Sequence, residues 1–135
     1  MGEEVFIDAN IFLEIFLENE KADNCEFYLK SSAGKNQTIT TTDFIIHSCL
    51  LTILRKTNSL ELARNALVFF SNLYQLKIIV PSIDDLSNAL DLMGQRNLDL
   101  DDSLVVACMN GHGITELASL DRHFDKVKGI KRIEL

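Results

Sequence analysis

The stretch Asp99–Asp125, DLDDSLVVACMNGHGITELASLDRHFD, decides the fold. Residues 102–109 (DSLVVACM) are apolar on almost every side, which predicts a buried helix rather than a surface one. Gly111 and Gly113 stop that helix. Residues 116–119 then form a short strand, with Asp121 just beyond it. In an open parallel sheet, groups past the carboxyl ends of strands face the crevice where ligands bind. Asp102, opening the helix, and Asp121, following the strand, are therefore expected at one crevice.

A third carboxylate arrives from the other end of the chain, where Val5-Phe6-Ile7 leads directly into Asp8. The chain between alternates in the same way. A helix is expected over 10–18, with Ile11, Phe12, Ile15 and Phe16 at helical spacing. Its apolar content exceeds the needs of one buried face, so part of it is expected to meet a partner chain, a second copy included. A second helix over 22–31, a loop over 31–36 and a strand over 37–41 follow. Thr42 or Asp43 caps a helix over 44–55, and Asn58 or Ser59 starts another on the stripe Leu60, Ala63, Leu67, Phe70 and Leu73. Pro81 closes a strand over 77–80. Ser82 and Asp85 resemble a capping box for a helix with Ile83, Leu86, Ala89, Leu90 and Met93 inward, ended by Gly94. Residues 131–133 supply an edge strand. Strands alternating with helices imply an α/β fold, a three-layer α/β/α sandwich with a central parallel sheet, as a single domain over 1–135.

Bulk properties narrow the function. A formal net charge of −7 argues against a coat that binds nucleic acid by positive surface alone, but not against a nuclease with an acidic metal pocket. Cys25, Cys49 and Cys108 contain no CxxC pair and read as reduced, buried thiols of a cytoplasmic protein. With Glu3 and Glu4 leading directly into the first strand, no signal peptide is expected, and no apolar run is long enough to cross a bilayer.

Each aspartate alone has an ordinary explanation. Asp8 and Asp121 could form turns or caps, Asp101 and Asp102 could complement a helix dipole, Asp99 could cap, and Asp125 is expected to be solvated. Their joint placement is what points to a metal. Neighbouring strands lie about 4.8 Å apart, so carboxylates at adjacent strand ends can share a cation. Without one, such close like charges would force a proton onto one of them. Mg²⁺ or Mn²⁺ suits oxygen ligands of this kind. Other chemistries lack support: His47, His112 and His123 share no metal-ligand spacing, and there is no phosphate-binding loop with a following Lys and no G-x-S-x-G elbow.

Four segments resemble the PIN domain family, which includes VapC-type toxin ribonucleases: Phe6-Ile7-Asp8-Ala9-Asn10, Thr41-Thr42-Asp43-Phe44, Leu100-Asp101-Asp102-Ser103-Leu104 and Ser119-Leu120-Asp121-Arg122-His123-Phe124-Asp125. The resemblance implies that Asp8, Asp102 and Asp121 are metal-binding, catalytic aspartates, with Asn10 and Ser119 as the small polar residues beside them. It also exposes a departure. The family commonly carries a glutamate in its third helix, and the matching position here is Ser48. Asp43 lies one helical turn before His47 and either could substitute, but only Asp43 restores a negative oxygen ligand. The implied activity is metal-dependent hydrolysis of RNA phosphodiester bonds, as the toxin of a toxin–antitoxin pair with an antitoxin protein as partner and a homodimer as assembly. The alternative is a catalytically weakened or inactive PIN-like module that binds RNA or a protein partner. Among basic residues near the crevice, Arg96 and Arg122 are the expected phosphate contacts, with Arg55 and Lys56 read as solvated charges.

Overall fold

A computed structural model describes residues 3–135, apart from the side chains of residues 33 and 34. Five strands, β1 (Glu4–Ile7), β2 (Thr38–Thr42), β3 (Leu76–Ile79), β4 (Glu116–Ala118) and β5 (Lys131–Ile133), form one sheet in the order β3-β2-β1-β4-β5. Every pairing is parallel. Six helices, α1 (Ala9–Phe16), α2 (Ala22–Gly34), α3 (Asp43–Thr57), α4 (Leu60–Asn72), α5 (Ile83–Arg96) and α6 (Leu100–Gly111), cover it in an α/β/α arrangement, with a 3-10 turn at Arg122–Lys126. The expected fold class and the edge position of residues 131–133 are both observed.

Strand β1 lies at the centre of the sheet, and Val5, Phe6 and Ile7 are fully buried. A parallel strand covered on both faces needs such an uninterrupted apolar run. From β1 the chain passes to β2 on one side, while β4 pairs on the other. The order of strands thus reverses between β1 and β4, the place where ligand crevices open in such sheets. Ile7 pairs with Ala118, so the next residues, Asp8 and Ser119, emerge side by side.

Helix α6 has the predicted all-round burial, with every residue from Ser103 to Met109 covered. It starts at Leu100, capped by Asp99, so Asp102 sits at its third position. Helix α1 uses its apolar surplus within the chain. Ile11 and Phe12 are buried, and Phe16 meets Phe69 and Phe70 of α4 edge-on at 5.3 Å between centroids.

Expectations change for three helices. Helix α2 continues past Ser31 to Gly34. Helix α5 passes through Gly94 and ends where Asn97 adopts a left-handed φ of 54°. Its inward face is Asp85 and Ala89, with Leu92 packed on the core, whereas Ile83, Leu86 and Leu90 are exposed. Asp85 comes close to α6, since a Cβ on Gly111 would stand 3.1 Å from its Oδ1, and α5 turns Asp85 and Ala89 inward while the larger stripe faces outward. In α4, Ala63 and Phe70 are buried but Leu60 and Leu67 are exposed. No helix among the described residues is long and apolar enough to cross a membrane.

Candidate metal centre

Asp8 leaves β1 with extended backbone and caps α1, its Oδ1 accepting from Ala9 N at 2.8 Å. Its Oδ2 accepts from Ser119 Oγ at 2.8 Å and from Asn10 Nδ2 at 3.3 Å. Ser119 Oγ in turn accepts from Asp121 N at 3.0 Å and from Asn10 Nδ2 at 3.2 Å. Leu120 N donates to Asn10 Oδ1 at 3.0 Å. Asn10 and Ser119 therefore tie the end of β1 to the end of β4, fixing the Asp8 carboxylate and the Asp121 backbone together. Burial pushes the Asp8 carboxyl above its ordinary range; the Ser119 and Ala9 bonds oppose this, and the charges of Asp121 and Asp101 add to it.

Asp102 reaches the same place from α6, its N–H held by Asp99 Oδ1 at 2.8 Å. Its carboxyl is pushed up to about 7, first by burial and then by the charges of Asp99, Asp8 and Asp121, against a smaller opposing effect of His123. Asp121 caps the 3-10 turn, accepting from His123 N at 2.9 Å. The imidazole Nδ1 of His123 lies 3.2 Å from the same Asp121 Oδ1.

Asp8, Asp102 and Asp121 line one cavity of about 240 Å³, together with Asn10, Ser48, Asp99 and Asp101. A concave site with this many carboxylates and no basic lining residue is short of positive charge, so the neighbouring aspartates add to burial in making Asp102 hold its proton. Oxygen donors in this arrangement fit a hard divalent cation.

The α3 wall of the cavity is formed by Phe44, Ile45 and Ser48, so it presents a hydroxyl and no carboxylate. Asp43 is exposed and accepts from Phe44 N at 2.8 Å; it is not among the lining residues. Arg96 borders a second cavity of about 540 Å³ that shares Asp99 and Asp102 with the first and also includes His123 and Lys126. Arg122 pairs with Glu134 at 3.0 Å and lines neither space.

Two side chains of this neighbourhood escape sequence reasoning. His123 enters a cluster with Asp102 and Asp121 whose ligand atoms all lie within 4.8 Å of one another. Asp102 comes from a distant segment, so no ligand spacing reveals the cluster, and Asp121, two residues before His123, is the one available hint. Arg132, in β5, has a side chain only 5% exposed and donates to the Ser119 carbonyl at 3.0 Å. It also grips Asp125 through Nε and Nη2 at 2.8 and 3.3 Å, holding that carboxyl below its usual range. Asp125, expected to be simply solvated, is an ion-pair partner. The three cysteines are free and buried, and burial raises the Cys49 and Cys108 thiols to about 12, which makes them poor nucleophiles.

Comparison by sequence with characterised proteins finds no match. Solved structures share the fold at low identity. The Mycobacterium tuberculosis VapC20 toxin, described as cleaving the sarcin–ricin loop, is 15% identical, with a TM-score of 0.75 over 92% of this chain and 95% of that one. VapBC2 of Rickettsia felis, solved on promoter DNA, is 18% identical, with a TM-score of 0.76 over 96% and 97%. A toxin–antitoxin complex from Klebsiella pneumoniae is 16% identical, with a TM-score of 0.70 over 94% and 95%. The sequence profile of the PIN domain matches residues 5–130, from the first strand to the threshold of the last, and the chain belongs to the PIN domain family.

Proposed function

We propose that this chain is a divalent-metal-dependent endoribonuclease, the toxin of a toxin–antitoxin pair. Support comes from one observation above all: Asp8, Asp102 and Asp121 face a single cavity at the reversal of strand order, where Asp102 is pushed up to about 7. These three residues would hold one or two Mg²⁺ or Mn²⁺ ions. Such a cation, when bound, lowers the pKa of water and offsets negative charge building on a phosphodiester. The chain's own contribution is preorganisation. Ser119 and Asn10 fix Asp8, and Asp99 holds the backbone of Asp102. Arg96 and Lys126, which border the adjoining cavity, would hold a phosphate of the RNA strand next to the carboxylates. Arg122 would serve the same purpose further out, once released from Glu134.

An antitoxin partner is proposed because the similar structures include toxin–antitoxin complexes. A homodimer is proposed with a changed basis: the apolar side chains of α1 are buried or half-buried against the core, and the exposed stripe Ile83, Leu86 and Leu90 of α5 offers more apolar surface. Free, buried cysteines suit a reducing cytoplasm.

Ser48 favours a second reading, a PIN-like module without activity that binds RNA or a protein, because the α3 wall carries no carboxylate. Incubating purified protein with a quenched fluorescent RNA and Mn²⁺, beside Asp8→Asn, separates the two. Metal-dependent cleavage lost in the variant supports the nuclease. No cleavage with any divalent metal favours the binding module, and equal cleavage by both proteins identifies a contaminant and defeats the evidence for either.

A further inference from the structure

We propose that His123 is a ligand of the cation held by Asp102 and Asp121, which makes this a mixed carboxylate–imidazole site selective for Mn²⁺ and later transition ions over Mg²⁺. The proposal rests on the metal-binding reading above and names a ligand which that reading does not contain.

The geometry is that of a partly assembled coordination shell. The ligand atoms of Asp102, Asp121 and His123 lie within 4.8 Å of one another, and His123 Nδ1 stands 3.2 Å from Asp121 Oδ1. A six-coordinate ion with bonds of about 2.1 Å places neighbouring ligands roughly 3 Å apart and opposite ones roughly 4.2 Å apart. The backbone helps to hold this arrangement. Asp121 caps the turn through His123 N, and Phe124, fully buried, anchors the following residue. The imidazole itself is 73% exposed, so no packing contact has to break for its nitrogen to turn toward an ion.

Charge and chemistry agree with the geometry. The cavity's α3 wall has the neutral Ser48, and the carboxylates already crowd one another. A neutral imidazole adds a donor from the side of the adjoining cavity without adding another negative charge. Mg²⁺ gains little from nitrogen, whereas the later first-row ions bind imidazole progressively more tightly. The third histidine of the chain therefore sets which metal the site prefers.

The test is direct spectroscopy of the metal-free protein loaded with Mn²⁺, together with calorimetric titrations of Mn²⁺ and Mg²⁺. Pulsed electron paramagnetic resonance is expected to show a directly coordinated nitrogen in the wild type and in His47→Gln, and none in His123→Gln. The same His123→Gln change should weaken Mn²⁺ binding by about ten-fold or more while leaving Mg²⁺ affinity unchanged. Mn²⁺ bound in an Asp102-dependent manner without nitrogen coupling, or with coupling that survives His123→Gln, overturns the ligand role and leaves the metal reading standing. Failure of the wild type to bind Mn²⁺ at all overturns both.

Discussion

At the scale of single residues, Asp102 carries the sharpest consequence. Its carboxyl titrates near 7 in the folded protein against an ordinary value of 3.8. Without metal, the folded state therefore binds this proton more tightly than the unfolded chain does. The contribution to stability is full below about pH 4, declines as pH rises, and is gone above about pH 7. Melting of EDTA-treated protein should show wild type losing stability from pH 5 to pH 8 relative to Asp102→Asn, which lacks the titrating group. Adding Mn²⁺ should raise the melting temperature of the wild type more at pH 8 than at pH 5, because proton and cation compete for one carboxylate. The neighbouring Ser103 is a different case. Its Oγ is the one buried side-chain oxygen or nitrogen without a hydrogen-bond partner among the described residues. Ser103→Ala removes a desolvated hydroxyl and should stabilise the protein by about 1 kcal/mol, read by urea unfolding.

At the scale of elements, β5 does more than close the sheet. Arg132 reaches from it to the carbonyl of Ser119, whose hydroxyl bonds Asp8. The last strand thus reaches, through Ser119, the residue that follows the first. Arg132→Met keeps the apolar stem but leaves the Ser119 carbonyl unpaired, a loss of about 1 kcal/mol from that bond alone. The expected signature is a lower melting temperature together with weaker Mn²⁺ binding, and Arg132→Lys should recover part of the binding by restoring one donor. Equal Mn²⁺ affinity in wild type and Arg132→Met would show that β5 acts on stability only. Helix α5 carries the opposite lesson. Its period was legible, but the side-chain set that faces inward was not: Asp85 and Ala89 are buried, with Asp85 close to Gly111 of α6, and the bulky stripe faces outward, a matter of which surfaces meet between helices.

At the scale of the whole molecule, the reversal of strand order between β1 and β4 gathers residues separated by more than a hundred positions into one site. The same packing leaves Ile83, Leu86 and Leu90 on the surface. Light scattering should find a dimer, and Ile83→Glu combined with Leu90→Glu should convert it to a monomer with an unchanged circular dichroism spectrum. A wild type that remains monomeric at high concentration removes the dimer from the proposal.

The sequence by itself determined the alternation of strands and helices, the burial of α6 and the placing of Asp8, Asp102 and Asp121 at element ends, since each follows from local periodicity and capping chemistry. It also marked Ser48 as a position without the expected charge. Tertiary structure alone decided that α1 turns its phenylalanines onto α4, that α5 faces inward through small residues, and that His123 and Arg132 meet the acidic site. These outcomes depend on which surfaces meet across the sheet, a matter of shape and distance between segments remote in sequence, and no pattern within one segment encodes it.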